Sequence, residues 1–122
     1  MSTLNNYRDL LVWQKSIDWV EAIYGASRSF APEERYGLTS QVRRAAVSVP
    51  ANIAEGAERT TTGEYLQFLG VARGSLAEVE TLIILARRLG MLEGQAAESL
   101  LGGASEIGRM LVALQRSLQS KR

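Results

Sequence analysis

From residue 10 to residue 118 the apolar positions recur three and four apart, the spacing of helices rather than strands. Leu10, Trp13, Ile17, Val20 and Tyr24 form one seam and predict a first helix over about residues 8–28, with Asn5 or Asn6 as its N-cap. A second apolar line on the same segment, Val12, Trp19, Ile23 and Phe30, lies on a neighbouring face. Either it meets another subunit, or the helix is sunk deeply in its own bundle. Gly25 and the stretch from Ser27 to Ala31 weaken the helix, and Ala31-Pro32-Glu33-Glu34 reads as a turn or a short helical start.

Gly37 breaks the pattern before a second helix over about 38–57. Its seam is made of small side chains: Val42, Ala45 or Ala46, Val49, Ile53, and Gly56 or Ala57. Small residues let helix axes approach, so this helix is expected at the centre. Pro50 sits inside it, removing one backbone bond and crowding the Ala46 carbonyl. The helix should curve there, leaving that carbonyl to a neighbouring polar side chain.

Thr61-x-x-Glu64 has the form of a capping box, with the carboxylate returning to the Thr61 N–H. The third helix then runs over about 62–89, on the order of 40 Å at 1.5 Å per residue. Gly70 and Gly74 lie one turn apart on it. They either cost about 1 kcal/mol each or mark a place where another backbone comes close. Gly90 is placed as a left-handed cap. A fourth helix over about 94–118 carries the cleanest heptad, Ala97, Leu100, Ala104, Ile107, Leu111, Leu114 and Leu118, before a polar, frayed tail at 119–122. Four seamed helices with short connections predict an all-α, up-down-up-down four-helix bundle in one domain, residues 1–122.

Composition narrows the chemistry more than the fold. Apolar residues make up 46% of the 122, which excludes disorder. The net charge is +1, so there is no global pull towards nucleic acid or anionic membrane. Twelve of the 14 basic residues are arginine, which favours planar pairing with carboxylate or phosphate. The chain has no cysteine and no histidine. That removes Cys/His zinc sites, thiol nucleophiles and Ser-His pairs. No apolar run spans a membrane and no signal segment opens the chain, so a soluble, cytoplasmic protein is expected.

The paired carboxylates offer little. Glu33 and Glu34 suit a helix start, and Glu78 and Glu80 are two apart, a spacing that does not face one way. Ser48 and Ser75 have no histidine to activate them. The chain is therefore read as a non-enzyme, with no catalytic, cofactor-binding or metal residue. Arg43, Arg44, Arg59, Arg87 and Arg88 are the candidate nucleic-acid contacts, although Arg87 and Arg88 also suit a helix C-terminus. Arg44, Ser48, Asn52 and Glu55 share one helix face. That face is solvated, or bonds across helices or subunits to Glu78 or Glu80, or meets phosphates. Val12, Trp19, Ile23, Gly70 and Gly74 are the candidate oligomer surface.

Several blocks resemble the "four helix bundle protein" family, whose members include proteins encoded in intervening sequences of bacterial 23S ribosomal RNA genes. They are Tyr7-Arg8-Asp9-Leu10-x-Val12-Trp13-Gln14-Lys15, the run from Arg35 to Ala46, Val49 to Gly56, Glu64 to Leu69 and Gly74 to Thr81. The resemblance implies an up-down bundle assembled as a homopentamer. It extends distantly to the accessory protein of diversity-generating retroelements, a basic pentamer that binds nucleic acid and a reverse transcriptase. A net charge of +1 departs from that strongly positive pattern. The leading expectation is a non-enzymatic homo-oligomeric scaffold or adaptor without a cofactor. The alternative is an RNA-binding accessory protein, tied to ribosomal RNA or to a nucleic-acid-processing partner.

Overall fold

A computed structural model describes residues 6–121, and four α-helices make up most of them. They are α1 (Leu11–Ser27), α2 (Leu38–Ala57), α3 (Thr62–Arg88) and α4 (Gly94–Gln119), with short 3-10 turns at Tyr7–Asp9 and Pro32–Glu34. The alternative cap Asn5 and the tail residue Arg122 lie outside the described residues.

The first helix starts later than its periodicity predicts. Asn6 accepts a bond from the Arg8 N–H at 2.9 Å, so it caps the Tyr7–Asp9 turn instead of α1. Leu10 is extended at φ −73°, ψ 125°, and α1 begins after it.

The buried face of α1 corrects the assignment of its two apolar lines. Val12, Ser16, Trp19, Ile23 and Ser27 are the residues that enter the core. Val12 and Trp19 are 5% exposed and Ile23 is 2% exposed, so these three belong to the monomer's own interior and not to an oligomer surface. Leu10, Trp13 and Val20, from the longer seam, pack at the edge, and Tyr24 is exposed. Serines interrupt the true core line, which hides it in a hydropathy pattern. Burial is tolerated because each hydroxyl donates to the carbonyl three residues earlier: Ser16 to Trp13 at 2.8 Å and Ser27 to Tyr24 at 3.2 Å.

α2 and α3 form the closest pair. A Cβ added to Gly56 would lie 2.8 Å from the Phe68 Cβ and 3.3 Å from the Tyr65 carbonyl oxygen. Only glycine fits where these two backbones meet. Glu34 caps α2 from outside, its Oε1 accepting the Leu38 N–H at 3.0 Å. The helix runs unbroken through Pro50, which is buried. Asn52 supplies the local polar side chain, but its amide donates to the Ser48 carbonyl at 2.8 Å and not to Ala46.

Thr61 caps α3, accepting the Glu64 N–H at 3.2 Å. The return half of the expected box differs: the Glu64 carboxylate takes the Thr61 hydroxyl at 3.0 Å, not the Thr61 N–H. Gly90, at φ 76°, ends the helix as predicted. Its N–H bonds Arg87 O at 3.0 Å and the Met91 N–H bonds Ala86 O at 2.9 Å, the paired bonds of a Schellman motif.

Trp19 ties α1 to α4. Its Nε1 donates to the Leu100 carbonyl at 3.0 Å, and its ring lies over Gly103, where an added Cβ would meet Cδ1 at 2.8 Å. Along the α2–α3, α3–α4 and α1–α4 pairs the contacts run in opposite chain order. Ser48 meets Ser75 while Gly56 meets Phe68; Arg73 meets Gln115 while Arg87 meets Glu98; Lys15 meets Glu106 while Trp19 meets Leu100.

Candidate functional surfaces

Three surfaces remain once the core is filled. The first is the row between α2 and α3. The Ser48 and Ser75 hydroxyls are 2.8 Å apart, and the Asn52 amide donates to the Ser48 hydroxyl at 2.9 Å. The cross-helix bond is thus between two serines. Arg44 and Glu78 line a cleft of about 430 Å³ with those serines, and Arg44 reaches Ser40 at 3.5 Å. Glu55 turns away to Arg59 at 3.1 Å, just past the end of its own helix. Glu80 lines a different groove. Next to this row, Gly70 and Gly74 are exposed, and nothing lies within 4 Å of a Cβ added to either.

The second is the groove between α3 and α4, about 610 Å³, which the sequence reading missed. Arg73, Arg109 and Arg116 rim a floor of Leu76, Ala104, Gly108 and Val112, with Glu80 on the same wall. The signal was faint: Arg109 and Arg116 are seven apart, a repeat easily taken for a solvated face. Arg73 already bonds Gln115 at 3.1 Å and Arg109 bonds Ser105 at 2.8 Å.

The third is the corner where α1 ends and α2 begins. Arg43 is fixed there. Its Nε donates to the Ser27 hydroxyl at 2.8 Å, its Nη2 to the Tyr24 carbonyl at 3.3 Å, and its guanidinium stands 4.6 Å from the Tyr24 ring centre. A cation at that carbonyl also suits the negative end of α1. Arg35 lies 5.4 Å from the ring centre of Tyr36, which is 86% exposed. Two adjoining clefts of about 410 and 440 Å³ share Arg35, Thr39 and Arg43. One adds Tyr24, Tyr36, Ser40 and Arg44, the other Arg28 and Phe30.

The five predicted arginines are therefore not one patch. Arg43 and Arg44 belong to the corner. Arg59 follows the far end of α2, roughly 22 Å along the helix from Arg44, where it pairs with Glu55 and lies 4.7 Å from the Phe68 ring centre. Arg87 pairs with Glu98 at 3.4 Å, and Arg88 stands exposed beside it at the end of α3. Burial pushes the Tyr65 phenol up. Among the described residues no group of three His, Cys, Asp or Glu is placed to hold a metal ion, and no helix is long and apolar enough to cross a membrane.

These features define an all-α protein of four helices whose distinctive surfaces are arginine-rich or small and apolar. The chain belongs to the 23S rRNA-intervening sequence protein family, whose profile matches residues 8–113. A crystal structure from Bacteroides thetaiotaomicron, of a protein with unknown function from the S23 ribosomal protein family, superposes with a TM-score of 0.78 at 21% identity. The match covers 86% of this chain and 98% of that one. No curated protein matches this chain.

Proposed function

We propose that the protein is a non-enzymatic, cytoplasmic scaffold or adaptor that works as a homo-oligomer of up-down-up-down bundles. The reversed contact order along the α2–α3, α3–α4 and α1–α4 pairs supports the alternation. The observation behind assembly is the outward face of α3. Gly70, Gly74, Thr81 and Leu85 fall on one stripe of that helix, with Val71 beside them, and all are exposed. Glycine in an exposed helix interior costs about 1 kcal/mol, and no contact within the monomer requires either one. A second helix backbone seated on the stripe accounts for both glycines and covers Val71 and Leu85. Val47 and Ala51, exposed on α2, extend the same kind of surface.

A pentamer is the stoichiometry that the family resemblance implies. Light scattering on the purified chain at micromolar concentration is expected to give a multiple of 13.4 kDa, five subunits in the pentameric case. A monomer overturns the proposal. The double variant Gly70→Leu/Gly74→Leu is expected to dissociate the assembly while leaving helical circular dichroism intact.

A further inference from the structure

We infer that the corner between α1 and α2 is a binding site for single-stranded nucleic acid, with Tyr36 as a stacking platform and arginines as phosphate contacts. The site lies within one subunit and does not rest on the assembly proposed above.

The charge there is local. Arg28, Arg35, Arg43 and Arg44 line two adjoining clefts that no aspartate or glutamate lines. The nearest acids in sequence are Glu33 and Glu34. Glu34 is committed to the Leu38 N–H, and Glu33 is exposed on the turn outside both linings. A chain of net charge +1 thus concentrates four positive charges on one corner.

The aromatic component separates this corner from the α3/α4 groove, which has three arginines, a glutamate and no ring. An 86% exposed tyrosine contributes almost nothing to the core, and with Arg35 at 5.4 Å on one side of its ring the other side faces solvent, open to a ligand. Nucleic-acid bases offer π faces and the phosphodiester backbone offers regularly spaced anions. Single strands present both together, whereas a duplex keeps its bases stacked inside. Arg43 is held by two hydrogen bonds and the Tyr24 ring, so little rotamer freedom remains to be lost on binding. Base stacking on a tyrosine and phosphate pairing with arginine are chemistry shared by RNA and DNA strands.

The test is fluorescence anisotropy of labelled oligouridine, oligothymidine and a duplex of equal length, titrated with the full chain at low and moderate salt. Single strands are expected to bind and the duplex to bind at least about tenfold more weakly. The log–log salt slope should reach at most about −3, the limit for four arginines on a single strand. Tyr36→Ala should weaken binding by roughly fivefold to a hundredfold, the range for one lost base stack. Tyr36→Phe, which keeps the ring, should stay within about twofold of the parent. Arg28→Gln/Arg35→Gln should weaken binding and flatten the salt slope by about 1.4. Arg73→Gln/Arg116→Gln, the same charge loss in the α3/α4 groove, should leave both unchanged. Circular dichroism and light scattering on each variant confirm that fold and assembly persist. The inference is overturned if neither single strand binds at low salt, if the duplex binds as tightly, if Tyr36→Ala has no effect, or if the groove variant loses as much affinity as the corner variant.

Discussion

Glycine has opposite meanings at two places in this chain, and the difference can be measured. At Gly56 a methyl group would press on the Phe68 Cβ and the Tyr65 carbonyl, neither of which is the free end of a flexible side chain. Gly56→Ala is expected to lower the urea-unfolding free energy by about 1–3 kcal/mol, the usual range for overpacking. Gly70→Ala and Gly74→Ala meet nothing. In the dissociated chain each should raise stability by up to about 1 kcal/mol through helix propensity. Tyr65 beside Gly56 adds a pH dependence. Burial raises its phenol above the unfolded value of about 10, so the folded chain keeps a proton that the unfolded chain releases. That contribution is fully present below about pH 10 and is lost as the pH rises through the folded value. Urea titrations at two alkaline pH values should show this loss in the parent and a smaller one in Tyr65→Phe. At this scale, the close packing at Gly56 was legible because small residues recur along one seam. The burial of Val12, Trp19 and Ile23 was not, because Ser16 and Ser27 share their face and their satisfaction by local carbonyls leaves no mark in a hydropathy pattern.

Elements were legible where a local rule decides them. Thr61 and Gly90 bound α3 because a hydroxyl acceptor and a left-handed glycine are short-range chemistry. Thr61→Ala is expected to reduce stability by roughly 0.5–2 kcal/mol, the range for a lost N-cap, and thermal melts would read it. The start of α1 failed the same kind of rule. Asn6 satisfied the Tyr7–Asp9 turn first, and an extended Leu10 separates that turn from the helix. The α1–α2 corner was invisible for a related reason: Arg28, Arg35 and Arg43 are up to 15 positions apart in sequence and meet only because the chain reverses at Pro32–Glu34.

For the whole molecule, net charge proved a poor guide. A balance of 14 bases against 13 acids suggests a neutral surface, yet the structure gathers arginines into a corner and a groove while other arginines are paired. Fold class was the easiest property to read, since four apolar seams with short connections admit few alternatives. Surface roles were the hardest, because what a face meets depends on helices far away in the chain.

The four-residue connection from Glu58 to Thr61 bears on how the molecule is made. It joins the two most closely packed helices, and loop closure over so short a span loses little entropy. The α2–α3 hairpin is therefore expected to form first, with α1 and α4 condensing onto it. Stopped-flow chevrons should separate the stages. Gly56→Ala should act mainly by slowing refolding, whereas Trp19→Phe, at the α1–α4 contact, should act mainly by speeding unfolding. The reverse pattern would mean that the chain begins its fold by bringing its two most distant helices together.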